Sequence, residues 1–148
     1  MSFASDMAKF AENAGNSIEN TMQAIGFQLF DAIIKDTPVD EGRARGNWQA
    51  SINAPILKDT DKKDKTGNKT STEMYSVSKK FKAGTVFYIT NNLPYIWSLE
   101  YGGYGRGDGA TNKTTRDGYS IQAPYGMVRK NVARIQSIVA AEARKNRV

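Results

Sequence analysis

Four carboxylates, Asp36, Asp40, Glu41 and Glu100, are the side chains whose type and placing could serve acid–base or metal chemistry in this chain. Paired carboxylates hold magnesium for hydrolysis, but such sites usually want a Lys or His nearby on a strand. Histidine and cysteine are both absent. Their absence removes His general bases, thiol nucleophiles, disulfides and nearly every zinc, copper or haem site. Asp40 reads more simply as the cap of a short helical turn over residues 41–45, just past Pro38. No catalytic, cofactor-binding or metal-ligating set is expected, and a carboxylate-dependent hydrolase is the weakest functional reading.

Two other patterns fail on context. Asp59-x-Asp61 followed by Asp64 suggests a calcium loop, but the sixth and twelfth positions, where an EF-hand needs Gly and Glu, hold Asp64 and Thr70. The run Gly102-Gly103-Tyr104-Gly105-Arg106-Gly107-Asp108-Gly109 follows a predicted helix. A phosphate-binding loop instead joins a strand to a helix N-terminus. Residues 102–118 therefore read as an adaptable Gly-rich loop that orders against a neighbour.

Glu100 falls in the last turn of a short predicted helix, where the helix dipole disfavours an anion. A cation is expected beside it, Arg45 or Arg129, so that the pair ties the first strand, the middle helix and the last helix together. Around it Tyr88, Tyr95, Trp97, Tyr101, Tyr104, Tyr119 and Tyr125 form an aromatic band. Tyr and Trp suit surfaces with one end buried and the other wet. Trp97, Tyr101, Tyr104, Arg106 and Tyr125 are the expected interface residues, although core packing or base stacking would use the same ring types.

The elements that position these residues follow from periodicity. Phe3, Met7, Phe10, Ala14, Ile18, Met22, Ile25, Leu29 and Ala32 recur at steps of three and four, the stripe of a long helix reaching Lys35. Its first part, residues 1–13, is expected to project as an arm, the alternative being a break at Gly15 with a restart at Asn16. Residues 48–54 alternate as a half-buried strand. Residues 58–70 contain no apolar side chain and read as a mobile polar loop, because nothing there offsets ordering entropy by burial. A helix over 72–81, a central strand over 85–90 and a short helix between Pro94 and Gly102 follow, the last stacking Tyr95 on Leu99 and Trp97 on Tyr101. A strand at 119–122 then leads to a final helix opened by Pro124 that buries Val128, Val132, Ile135 and Val139. The fold class is α+β, one domain over residues 1–148, with a small, mostly antiparallel sheet flanked by long N-terminal and C-terminal helices.

The 148 residues carry a net charge of +6. From residue 129 onward six basic residues face Glu142 alone. Arg144, Lys145 and Arg147 in this basic tail (residues 143–148), with Lys62, Lys63 and Lys65 in the polar loop, are the candidate contacts to DNA or an acidic partner, or else a solvated face. No apolar run reaches the roughly 20 residues that span a bilayer, and no leader pattern opens the chain, so it is expected to stay in the cytoplasm where it is made.

Three linked motifs carry a resemblance: Thr37-Pro38-Val39-Asp40-x-Gly42-x-x-Arg45-Gly46-x-Trp48, then Ile89-x-Asn91-x-Leu93-Pro94-Tyr95-x-x-x-Leu99-Glu100-Tyr101-Gly102, then Ala123-Pro124-x-Gly126-Met127-Val128-Arg129. Together, over about residues 36–140, the chain resembles the neck or tail-completion (minor tail component) proteins of long-tailed double-stranded DNA bacteriophages. The resemblance implies a non-enzymatic virion protein: a homo-oligomeric ring, six copies, where the tail top meets the head connector, with DNA passing through its centre. Adjacent tail and head-connector proteins would be its partners, with no membrane and no cofactor. Ala44, where a larger aliphatic residue is usual, and the long 102–118 insertion depart from the pattern. The rival expectation is a sequence-independent nucleic-acid-binding protein using the basic tail and the aromatics.

Overall fold

The computed structural model of the chain describes residues 18–82, 84–103, 115 and 117–145. The expected arm at residues 1–13 and the capping Asn16 lie outside the described residues. The elements are α1 (Ile18–Asp36), α2 (Arg43–Gly46), β1 (Gln49–Ile52), α3 (Asn68–Ser78), β2 (Phe87–Thr90), α4 (Ile96–Tyr101) and α5 (Val128–Lys145). The architecture is α+β, helices around an antiparallel β1–β2 pair in the register Gln49↔Thr90 to Ile52↔Phe87.

α1 is the spine. Ala24, Phe27, Phe30, Ile33 and Ile34 lie on its inner face and join Trp48, Met74, Ala123 and Met127 in the core. Phe27 meets Tyr75 of α3 edge to face at 5.4 Å, and Phe30 meets Phe87 of β2 at 4.7 Å. Each contact lets an electropositive ring edge meet a π face. Gln23 donates to the carbonyls of Lys79 and Phe81, fixing the exit of α3 to α1.

At the end of α1, Thr37 Oγ1 donates to Ile33 O at 2.6 Å and accepts the Trp48 indole N–H at 2.8 Å. Both residues are buried, so the relay satisfies polar groups that would otherwise be stranded in the core. β1 stops at Asn53, which takes the left-handed region (φ 67°) that Asn tolerates better than most residues. Its amide N–H donates to Val86 O and its side-chain oxygen accepts Val86 N–H.

Several expectations are corrected. The polar segment 58–70 is not a free loop. Its backbone is held by side chains of other elements: Asn47 bonds both the N–H and C=O of Thr60, Gln49 and Asn92 donate to Lys58 O, and Arg45 donates to Lys65 O. Asp64 N–H donates to Gly42 O. The strap lies so close to α2 that a Cβ on Gly46 would collide with Lys62 O. Hydrogen bonds, not apolar burial, order it.

The third helix starts at Asn68 and ends at Ser78 rather than spanning 72–81, because Asp64 caps it from outside: its carboxylate accepts Gly67 N–H, Thr70 N–H and Thr70 Oγ–H. Gly42, in the left-handed region (φ 87°), takes the N-cap place expected for exposed Asp40 and leaves α2 without a side-chain cap. The strand expected at 85–90 as central is one of two paired strands among the described residues. Of residues 119–122 only Ser120 carries a bridge, and Ile121 and Gln122 form a turn. The last helix begins at Val128, after a turn that contains Pro124. On it Val132 and Val139 are 47% and 44% exposed, so the predicted buried stripe is only half covered.

Candidate functional site

The most tightly organised surface feature grows from Glu100. It ends α4 facing the first turn of α5, whose initial N–H groups have no intrahelical acceptor. Oε2 accepts Met127 N–H at 2.7 Å and Val128 N–H at 2.8 Å, while Oε1 accepts Arg129 N–H at 2.9 Å. The carboxylate therefore caps α5 from another element, and its unfavourable place at the end of α4 is offset by the positive end of α5. Approach this close requires Gly126 (φ 79°): a Cβ there would stand 2.6 Å from Glu100 O.

Arg129 completes the site. Its Nε donates to Glu100 Oε1 at 3.0 Å, and its Nη2 donates to Glu100 O at 2.8 Å and to the Tyr119 hydroxyl at 3.3 Å. Burial alone would raise the Glu100 pKa, but the three backbone N–H bonds and the Arg129 bond outweigh it and hold the carboxyl below its ordinary value. Hydrogen bonds with Tyr119 and then Glu100 hold the guanidinium above its own.

The fixed guanidinium lies over the Tyr101 ring at 4.4 Å, and Trp97 stacks on Tyr101 at 4.8 Å with 25° between planes. Two groups so close to one ring centroid cannot share a face, so the order is Arg129, Tyr101, Trp97, and the outer face of the indole is open. Trp97 is 68% exposed and nearby Tyr125 is 77% exposed. Large rings held rigid at low entropic cost and left wet are the makings of a protein-binding anchor.

Tyr95 and Leu99 line a separate cleft of about 650 Å³ with Pro38, Val39, Ala44 and Ile121, and Asp40, Glu41 and Arg43 also contribute to its lining. Gln122 closes one side by bonding both the N–H and C=O of Val39. Asp36 secures the same corner: its Oδ2 accepts Asn131 Nδ2 at 2.8 Å and pairs with Lys130 at 3.3 Å.

Of the two cations expected for Glu100, Arg129 makes the contact and Arg45 does not. Arg45 points the other way, donating to the carbonyls of Thr37, Lys35 and Lys65, because the C-terminal carbonyls of α1 also lack intrahelical partners. The Glu100–Arg129 pair therefore joins α4 to α5, and the expected tie to the first strand through Arg45 is not made. Tyr104 and Arg106 lie outside the described residues, as do Arg147 and the side chain of Lys145. Arg144 is exposed.

Among the loop lysines, Lys62 pairs with Glu73 at 2.6 Å and Lys63 with Glu41 at 2.9 Å, while Lys65 is exposed. Contact with Lys63 holds the Glu41 carboxyl below its ordinary value. Asp40 and Glu41 do not converge with Asp36 or Glu100 on a common cation, and no cluster among the described residues could hold a metal ion. Among the same residues no helix is long and apolar enough to cross a membrane. Asn131 and Gln122 were not singled out by sequence reasoning, whereas Tyr119 was, as one of the aromatic band, though not as a partner of Arg129.

Compared with protein-family models, curated proteins and solved structures, the chain matches none.

Proposed function

We propose that this chain is a structural virion protein that forms a ring at the head–tail junction of a tailed bacteriophage, joining the tail to the DNA-filled head. Its work is mechanical: it offers docking faces to copies beside it and to tail and connector proteins above and below. It is assembled in the host cytoplasm and makes or breaks no bond.

One observation carries the reading. The three motifs on which the resemblance rests are far apart in sequence, yet they meet in one place. The first reaches the site through Val39 and the Gln122 side chain just ahead of the third motif, and the second and third join through Glu100 and the N–H groups of Met127, Val128 and Arg129. Their joint product is an outward aromatic stack and a partly apolar cleft, which suit protein contact better than turnover. The nucleic-acid reading loses force because Lys62 and Lys63 are engaged by acids of their own chain.

Localisation in the particle tests this. Antibody labelling of virions should mark the junction between capsid and tail, and particles without label there would refute the reading. DNA affinity falling steeply with salt, with a slope implying several phosphates per chain, would favour the rival.

A further inference from the structure

We infer that the strap over residues 58–63 is a latch on the cleft: closed, it neutralises Glu41 and Arg43 from outside, and lifted, it releases both charges to whatever enters the cleft. Three charged residues line that cleft, Asp40, Glu41 and Arg43. The strap holds two of them. Lys63 reaches Glu41 at 2.9 Å, and Asp59 and Asp61 reach Arg43 at 3.2 and 3.7 Å, yet none of these three strap residues belongs to the lining. A cation is thus offered to the lining carboxylate and carboxylates to the lining guanidinium, the same pairings a charged partner in the cleft would make. Such a partner competes with the strap, so engaging either charge favours the lifted state.

The strap is built to open more easily than the body beneath it. Its ion pairs, together with that of Lys62 to Glu73 of α3 at 2.6 Å, are surface contacts, since every carboxylate in them is 49% exposed or more. Exposed pairs contribute little singly and are screened by salt. Within residues 58–63, Thr60 N–H is the one backbone donor bonded to another element among the described residues, its acceptor being Asn47 Oδ1. A segment with so few backbone bonds and so much solvated surface opens locally at low free energy.

Both ends of the strap stay anchored when it lifts. Ile56 O accepts Thr90 Oγ1–H and the Asn92 amide, while Asp64 donates its N–H to Gly42 O and caps α3 with its carboxylate. The closed state also carries a fault that lifting relieves: Arg43 Nε is buried without an acceptor. A buried donor left unsatisfied is a cost of the arrangement that buries it. The latch belongs to the single chain and works with or without a ring.

A latch differs from a set of independent surface pairs in that its contacts open together. The variant Lys62→Gln/Lys63→Gln of the full chain, studied at low concentration, removes two contacts and leaves both carboxylate partners of Arg43 in place. Phenylglyoxal modification of Arg43, located by peptide mass mapping and referenced to exposed Arg134, should run about threefold faster or more in this variant, the scale of losing surface pairs. The Thr60 amide should exchange faster to the same degree, with the amides of α1 still protected. Unchanged modification of Arg43 while α1 stays protected makes the pairs independent and overturns the latch. The unsubstituted chain supplies a second measurement. Raising NaCl from about 0.05 to about 0.5 M should speed Arg43 modification and Thr60 exchange in parallel. A response that is flat, or that moves one without the other, also overturns the latch.

Discussion

Glu100 does for α5 what no residue of α5 can do for itself, accepting three of its initial N–H groups while orienting the guanidinium that backs the aromatic stack. Glu100→Ala would strand those donors next to an unpaired arginine. The expected cost is about 2 kcal/mol, the scale of leaving buried backbone donors unsatisfied, read as a fall of roughly 4–8 °C in thermal melting. Asp64 plays the same part for α3. Burial raises its pKa, but the bonds from Thr70 and Gly67 outweigh that and hold it below its ordinary value. Both folded pKa values are depressed, so both carboxylates contribute stability that is full above their ordinary values, 4.5 and 3.8, and is lost as pH falls through the lowered ones. Melting temperature should therefore hold steady above about pH 5 and drop below it, and the drop should be shallower in Glu100→Gln. An equally steep acid limb in that variant would show that Glu100 does not carry the effect. Thr37→Val, nearly the same shape, removes the acceptor for the Trp48 indole and should cost about 1–3 kcal/mol in denaturant unfolding.

The segment between β1 and α3 separates what composition can tell from what it cannot. Periodicity located the end of α1 and the two strands to within a few residues, because their apolar side chains repeat at helix or strand spacing, and Pro94 and Gly102 bracketed α4. No such signal marks residues 58–67. Their order depends on amides that come from elsewhere, Asn47, Gln49 and Asn92, and on two glycines that let the strap approach α2. Such partners are invisible until the chain is folded. At the site the need of Glu100 for a cation was legible from its place at the end of a helix. Which arginine answers it was not, because Arg45 is claimed by the carbonyls at the end of α1. The strap gives its own test: Gly46→Ala puts a methyl against Lys62 O and should free residues 58–67. The expected readout is faster amide exchange and proteolysis there, with the α1 core still protected; unchanged exchange would contradict the account of how the strap is held.

At the scale of the whole molecule, rigid and unpartnered features coexist. The core around α1 and the cap on α5 hold the Arg129–Tyr101–Trp97 stack in place, while the stack, the cleft and the outer face of α5 are left open to solvent. A surface of that kind gains its stability from neighbours. Trp97→Ala should therefore weaken assembly strongly while changing the melting temperature of the subunit little, the reverse of Thr37→Val. The most direct measurement is the native mass of the purified full chain at high concentration, paired with negative-stain images of the same sample. The account predicts one closed ring of defined copy number, and a strict monomer across the whole concentration range would contradict it.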